Sequence, residues 1–367
     1  MLKHVKGLDT LRAFAVIFVL IAHWGPHYYV YEPVGHFISR IFVPDGATGV
    51  YIFFTLSGFL ITSILHNARF ATDSPNRFSI LKNFIARRTL RIFPIYYIFI
   101  CSLLVVFNFA DLRQYLVWFL TYTSNILCYK TNSWNSTSNT WTLAVEEQFY
   151  LFWPWLMLFV NRKYLKYVFT LTIAVGVITT YYTLQTKIEP FLVFNCFDSF
   201  GIGGLYAFAR QGKEDTIRFE KVVRKYGPLL LIPYFYFKIA ALEFNMFEGI
   251  FLKKTVDSIL AIWLIVLILN NRSEATRKYL LENKALNFVG KVSYCLYLIH
   301  PYIWIYYEKY LTKVSIMCYG KPVLLAILTN SVFIYCLNLT VILTICWLSY
   351  KLIEQPIMSL KKYFNYR

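Results

Sequence analysis

Long apolar runs separated by short polar segments dominate this chain, and several reach the roughly 20 residues that a helix needs to cross a bilayer. They predict about ten spans, at residues 8–29, 47–66, 91–110, 142–161, 165–184, 192–209, 226–243, 255–270, 291–310 and 323–350. Residues 112–128 are aromatic but interrupted by polar groups, which favours a re-entrant or interfacial segment over an eleventh span. The pattern predicts an all-α, polytopic membrane helical bundle.

Composition supports this class. The chain has 367 residues, of which 58% are hydrophobic and 15% charged, and its mean hydropathy is +0.50. A soluble chain carries about 25% charged residues. We find no internal repeat and no separate soluble domain, so residues 1–367 are predicted to form a single membrane domain.

The net charge of +18 can indicate a nucleic-acid partner, but the distribution of the basic residues favours a topological explanation. If the N-terminus is cytoplasmic, the basic clusters within 69–91, 162–166, 210–225, 272–291 and 351–367 share its side. The outer loops then hold only Arg40, Arg113, Lys130, Lys187, Lys253, Lys254, Lys313 and Lys321. We therefore predict that both termini are cytoplasmic, and we expect no nucleic acid to bind.

The seven cysteines are scattered through mostly apolar segments. None has the spacing of a metal site or of a disulfide framework, so we expect neither.

Two ionisable residues lie on the first predicted helix. Eleven residues separate Arg12 from His23, which is about 16 Å and about three turns of helix, so both lie on nearly the same face. An ionisable group inside a span indicates a functional site. The alternative is a structural histidine that hydrogen-bonds a neighbour within the bundle.

Further charged residues suggest partners for this pair. Arg88 and Arg91 share a face at the start of the third span, where they either anchor the helix or clamp phosphate. Glu146 and Glu147 open the fourth span, which the topology places at the depth of His23. We therefore predict that His23 acts as a base polarised by Glu146.

Other polar residues within the spans have simpler interpretations. Ser57-Gly58 favours close helix packing, although Ser57 can also donate a hydrogen bond to a ligand. Gly201, Gly203 and Gly204 suit packing as well. We interpret Asp198 and His300 as structural or supporting residues.

The spacing between the arginines and the His/Glu pair suggests what kind of ligand binds. Three arginines lie toward the cytoplasmic end, and the His/Glu pair lies about 16 Å farther along the helix axis. A long, thin molecule with phosphates at one end and a reactive group at the other fits this gap, as acyl-coenzyme A does. A phospholipid or a polyprenyl phosphate fits it too.

At these residues the chain resembles the integral-membrane acyltransferase-3 family. Six motifs occur in family order: Leu8-Asp9-x-Leu11-Arg12-Ala13 with His23, Phe53-Phe54-x-x-Ser57-Gly58-Phe59-Leu60-Ile61, Arg88-x-x-Arg91-x-x-Pro94, Trp141-x-Leu143-x-x-Glu146-Glu147-x-Phe149-Tyr150, Gly290-x-x-Ser293-Tyr294-x-x-Tyr297-Leu298-x-His300, and Glu354-Gln355-Pro356. They cover residues 8–356. Many members have an acidic residue where this chain has Tyr51.

The resemblance implies a bacterial inner-membrane enzyme that moves acyl groups, usually acetyl, from cytoplasmic acyl-CoA to hydroxyls of glycans outside, such as lipopolysaccharide O-antigen, capsule or exopolysaccharide. It implies that Arg12 and His23 are essential and that Arg88 and Arg91 serve the donor. We further expect these residues to support the site or to contact substrate: Asp9, Ser57, Trp141, Glu147, Tyr150 and His300.

Two other functions stay open. A transporter or flippase for an acylated or phosphorylated lipid can use the arginines as a head-group site. A non-catalytic scaffold leaves the intramembrane charges unexplained. Within the enzyme hypothesis, His23 either deprotonates the acceptor or carries the acyl group.

Overall fold

A computed structural model describes residues 5–24, 45–72, 74–106, 110–133, 137–243, 247–303 and 331–366. All regular secondary structure in these ranges is helical, which confirms the predicted class for this part of the chain. The main helices are α1 (Lys6–Trp24), α2 (Gly46–Arg69), α3 (Arg77–Val106), α4 (Trp141–Phe159), α5 (Leu165–Gln185), α6 (Phe197–Ala209), α7 (Lys213–Tyr226), α8 (Leu231–Glu243), α9 (Phe247–Leu269), α10 (Lys284–Lys291), α11 (293–303) and α12 (Ser331–Ser349).

Five helical stretches among the described residues are long and apolar enough to cross a membrane. They are Lys6–Trp24, Gly46–Arg69, Arg77–Val106, Arg162–Gln185 and Tyr335–Tyr363. The total of about ten spans therefore stays a prediction. Residues 25–29, 107–109, 304–310 and 323–330 of the predicted spans lie outside the described residues.

The segment after α3 does not form an eleventh span. It breaks into three helices of 5, 5 and 8 residues, at Ala110–Gln114, Leu116–Leu120 and Ser124–Thr131, all far shorter than a bilayer requires. The hydroxyl of Tyr96, ten residues before α3 ends, donates to the carbonyl of Phe119 at 2.9 Å. Ten residues of helix rise about 15 Å, so the segment folds back into the bundle.

Glycines bring α2 and α6 into close contact. A β-carbon at Gly58 would clash with the carbonyl of Phe200, and one at Gly203 would clash with the carbonyl of Thr55. The backbones of the two helices therefore touch on both sides of the contact. The predicted packing role of the small residues at Gly58 and Gly203 is confirmed.

The eighth span was predicted at 255–270 with an earlier start left open, and it does begin earlier; the predicted loop position of two lysines is wrong. Helix α9 begins at Phe247, so Lys253 and Lys254 belong to it and are buried, instead of lying in an outer loop. Lys253 is 2.7 Å from Asp257 and 2.9 Å from Asp45, and Lys254 is 3.1 Å from Asp198. Buried lysines require such partners, because an unpaired charge costs far more than a paired one.

Candidate functional site

A cavity at the centre of the bundle collects most of the residues predicted for the site. It lies between α1, α2, α3, α4 and α11. Its polar lining includes Arg12, Arg88, Arg91, Ser57, Glu146 and Tyr150. We call it the arginine cavity. Five helices that are far apart in the sequence therefore contribute charged or hydroxyl groups to one space.

Arg12 is oriented from within its own helix. Its Nη1 atom lies 2.9 Å from Oδ1 of Asp9, one turn earlier, and Asp9 is buried. Helix α10 packs tightly on this turn, because a β-carbon at Gly290 would clash with the Asp9 carbonyl. The close contact at Gly290 thus fixes the backbone of the Asp9–Arg12 pair against α10.

Glu146 is held by two hydroxyl groups. Ser57 donates to its Oε1 atom at 3.0 Å, and Tyr150 donates to its Oε2 atom at 3.2 Å. The guanidinium of Arg88 lies 5.2 Å from the centre of the Tyr150 ring, which is within cation–π range. The carboxylate therefore has a fixed position among positive charges, which offset the cost of burying it.

His23 lies elsewhere, beside His300. The two ring centroids are 4.8 Å apart in an edge-to-face arrangement. Nδ1 of His23 is 2.8 Å from the carbonyl of Val19, and Nδ1 of His300 is 2.7 Å from that of Tyr297. A carbonyl only accepts, so each Nδ1 carries the proton and each Nε2 is the accepting nitrogen. His300 is fully buried, whereas His23 is exposed.

The predicted equal depth of Glu146 and His23 is wrong. Gly46, at the start of α2, lies against His23, whereas Ser57, which binds Glu146, lies eleven residues farther along α2. Those residues span about 16 Å. The cause is the segment before α4, whose described residues 110–133 fold back into the bundle, so that α4 begins deeper among the helices than the apolar pattern predicts. Glu146 therefore joins the arginines and does not hydrogen-bond His23 in the described structure.

Tyr297 connects the two groups of residues. Its ring lines the arginine cavity and lies 5.5 Å, centroid to centroid, from His300. Its hydroxyl accepts a hydrogen bond from Thr142 at 2.9 Å. Neither Tyr297 nor Thr142 was predicted for the site, although Tyr297 lies one helical turn before His300 and could have been identified from that spacing.

Besides Asp9 and the two histidines, two more predicted residues do not line this cavity. Trp141 packs against Phe54 and Phe191, with ring centroids 6.2 and 5.4 Å away. Glu147 is buried, and its Oε1 atom has no hydrogen-bond partner among the described residues. Tyr51, at the position that is acidic in many acyltransferase-3 members, packs against Phe54 with ring centroids 6.5 Å apart.

Comparison with known proteins agrees with the motifs. The chain is 24% identical to the O-acetyltransferase OatA of Staphylococcus aureus over 97% of its own length and 57% of that protein's. It is 34% identical over 166 residues to a Bacillus subtilis protein provisionally named peptidoglycan O-acetyltransferase YrhL, covering 41% of this chain and 23% of YrhL. The chain thus spans a little over half the length of the first of these relatives.

No solved structure matches the chain significantly. The family model for an acyltransferase domain, by contrast, matches residues 5–351. That range includes the arginine cavity and both histidines described above. The chain belongs to the acyltransferase-3 family.

Proposed function

We propose that this protein is a membrane O-acyltransferase that moves an acyl group, most simply acetyl, from cytoplasmic acyl-CoA to a hydroxyl of a glycan on the other side of the membrane. The observation that carries the proposal is the convergence of Arg12, Arg88 and Arg91 in one cavity, with His23 about 16 Å farther along α1. The family and the name O-acetyltransferase of its relative support it.

The arginines hold the phosphates of the donor. Guanidinium groups bind phosphate through paired hydrogen bonds, and three of them offset much of the charge of a nucleotide diphosphate. The pantetheine arm then extends past Tyr297 toward the histidines. Its thioester reaches the outer half of the bundle while the nucleotide stays on the cytoplasmic side.

His23 performs the chemistry through Nε2, the nitrogen that its hydrogen bond to Val19 leaves unprotonated. In direct transfer, Nε2 takes the proton of the acceptor hydroxyl, the new C–O bond forms, and the C–S bond breaks. The CoA thiolate leaves and takes up a proton, so that the overall reaction is balanced. In the two-step form, Nε2 attacks the thioester, the N–C bond forms, and the C–S bond breaks to release the CoA thiolate. The acceptor hydroxyl then displaces the histidine, so that the C–O bond forms, the N–C bond breaks, and the hydroxyl proton passes to the thiolate.

Glu146 acts in the arginine cavity, and not on His23. Bonded to Ser57 and Tyr150, it supplies a fixed negative charge among three arginines. This charge limits their mutual repulsion when no donor is bound. We propose that it also keeps the arginine side chains directed into the cavity.

The proposed acceptor is a glycan because the relatives transfer acetyl groups by name, and one of them is named for peptidoglycan. The same transfer to a glycan hydroxyl can take place on lipopolysaccharide O-antigen, capsule or exopolysaccharide. We place the enzyme in the bacterial cytoplasmic membrane with both termini in the cytoplasm, in agreement with the basic loops.

The test uses purified protein in nanodiscs with radiolabelled acetyl-CoA, with and without peptidoglycan or polysaccharide extracts. We expect the wild type to cleave the thioester and to label the glycan. The His23→Ala variant should do neither, although it folds like the wild type. Label retained on the protein would select the two-step form. A wild type that neither binds nor cleaves the donor would favour a lipid flippase and contradict the proposal.

A further inference from the structure

The last described residues fold back onto the N-terminal half of α3. Nη1 of Arg87 donates to the carbonyls of Lys361 and Phe364, at 2.9 and 3.1 Å. The same guanidinium lies 5.3 Å from the centre of the Tyr366 ring. Arg87 therefore does not contribute to the lining of the arginine cavity. Instead it fixes the C-terminal segment, residues 355–366, beside the cavity.

This arrangement concentrates positive charge. The ammonium of Lys361 is close enough to Arg87, Arg88 and Arg91 to be repelled by all three, and Glu354 attracts it. Arg12 adds a further repulsive charge near Arg91. Like charges crowded on a partly buried surface are unfavourable unless an anion joins them. The cations outnumber the three carboxylates beside them, Asp9, Glu146 and Glu354, and this excess of positive charge indicates an anionic ligand.

The position of Lys361 indicates which part of the ligand it meets. Arg88 and Arg91 line the arginine cavity, but Lys361 does not. Its carbonyl accepts from Arg87, which precedes Arg88 on α3, so Lys361 lies toward the N-terminal end of α3, the end that the proposed topology places on the cytoplasmic side. In acyl-CoA the diphosphate follows the pantetheine arm, and the 3′-phosphate of the ribose lies farther from the thioester. If the deeper cations hold the diphosphate, the outer cation meets the 3′-phosphate.

We propose that Lys361, positioned by Arg87, binds the 3′-phosphate of the acyl-CoA donor, so that the C-terminal segment forms the outer wall of the donor site. This inference rests on the proposed function, because it requires acyl-CoA as the donor. It adds a residue and a specificity, since it predicts that the enzyme distinguishes donors by a phosphate far from the reacting bond.

The experiment compares acetyl-CoA with 3′-dephospho-acetyl-CoA as donors for purified protein in nanodiscs. A charge-assisted contact corresponds to about a tenfold or larger difference in affinity. In the wild type we expect the KM of the dephospho donor to exceed that of acetyl-CoA by about tenfold or more. In Lys361→Gln the KM of acetyl-CoA should rise to that of the dephospho donor, which itself should not change, and Lys361→Arg should keep the preference.

Lys362→Gln is the matched control. Its ammonium lies 5.0 Å from the centre of the Tyr363 ring, and the residue is exposed. This variant should therefore keep the donor preference. Arg87→Gln removes the two bonds that hold the C-terminal segment, and it should weaken the preference although Arg87 does not contact the phosphate. Size-exclusion profiles and thermal unfolding show whether each variant is folded.

Three results would overturn the inference. A wild type that uses both donors equally excludes a 3′-phosphate contact, as does a preference that survives in folded Lys361→Gln. An effect of Lys361→Gln that appears only in nanodiscs with phosphatidylglycerol, and not in those of phosphatidylcholine alone, assigns the cations to lipid head groups. Failure of the wild type to cleave either donor contradicts the proposed function itself, and so is distinguishable from all three.

Discussion

The imidazole of His300 lies edge to face against that of His23, with the ring planes at 68° and the centroids 4.8 Å apart. The two residues come from α1 and α11, and each directs Nδ1 to a carbonyl of its own helix. The Nε2 atom of His300 is buried and has no hydrogen-bond partner among the described residues. It is therefore available to accept a hydrogen bond from His23 once His23 gains a proton.

This relationship predicts the effect of His300→Phe. The variant keeps an aromatic ring beside His23 but removes the accepting nitrogen, so we expect turnover to fall by about tenfold or more with little change in the KM of the donor. His66→Phe is the control, since His66 is buried on α2 outside the arginine cavity. Steady-state kinetics with acetyl-CoA would show the difference, and equal losses in both variants would contradict a specific role for His300.

Removal of Arg88 should weaken donor binding more than it slows chemistry. Its guanidinium lines the arginine cavity together with Arg12, which lies about 16 Å from His23 along α1. An interaction made equally with the bound donor and with the transition state raises KM and leaves kcat unchanged. We expect Arg88→Ala to raise the KM of acetyl-CoA by about tenfold or more. Arg113→Ala, at an exposed arginine, should behave as wild type; a fall in kcat alone for Arg88→Ala would speak against the clamp.

Substitution of the two adjacent glutamates should lower activity to different extents. Glu146 accepts from both Ser57 and Tyr150, and an amide at this position can accept with only one of its two terminal atoms. Glu146→Gln should therefore disturb the cavity and lower kcat/KM by about tenfold or more. Glu147→Gln changes a residue that does not line the cavity, and its effect should be smaller. If Glu147→Gln lowers kcat/KM more than Glu146→Gln does, the role assigned to Glu146 in the arginine cavity is wrong.

The ion pair between Lys254 and Asp198 predicts a stability effect independent of activity. Both side chains are almost completely buried. Asp198→Leu leaves the ammonium without its partner, which costs about 3–5 kcal/mol in typical buried pairs. In detergent, the single variant should unfold at a clearly lower temperature than the wild type. The double variant Asp198→Leu/Lys254→Met should recover most of this difference, and an equally unstable double variant would exclude this explanation.

The length of the apolar runs was enough to predict the helical class, and the small residues were enough to predict close packing at Gly58 and Gly203. Both depend on local properties of the chain, namely apolar length and side-chain size. The motif spacing also identified Arg12, Arg88 and Arg91, which the structure brings into one cavity. Residues on helix faces at known spacing can be placed from the sequence because helix geometry is regular.

The depth of Glu146 could not be predicted in this way. Depth depends on where α4 begins within the bundle, and this is set by the segment before it, which the structure describes at residues 110–133 and 137–140. The contacts of that segment with α3, such as Tyr96 to Phe119, are tertiary. The same limit applies to Lys253 and Lys254. They resemble loop residues in the sequence because their partners, Asp45 and Asp198, lie on distant parts of the chain.

The separation of Arg12 and His23 on one uninterrupted helix has a consequence for donor choice. Helix α1 runs from Lys6 to Trp24 without a break, so the distance between the two side chains is set by the backbone and cannot adjust to the ligand. Under the proposed function, α1 is a molecular ruler. A donor whose arm is shorter than pantetheine can occupy the arginines or reach His23, but not both, so the helix selects its substrate by length as well as by charge.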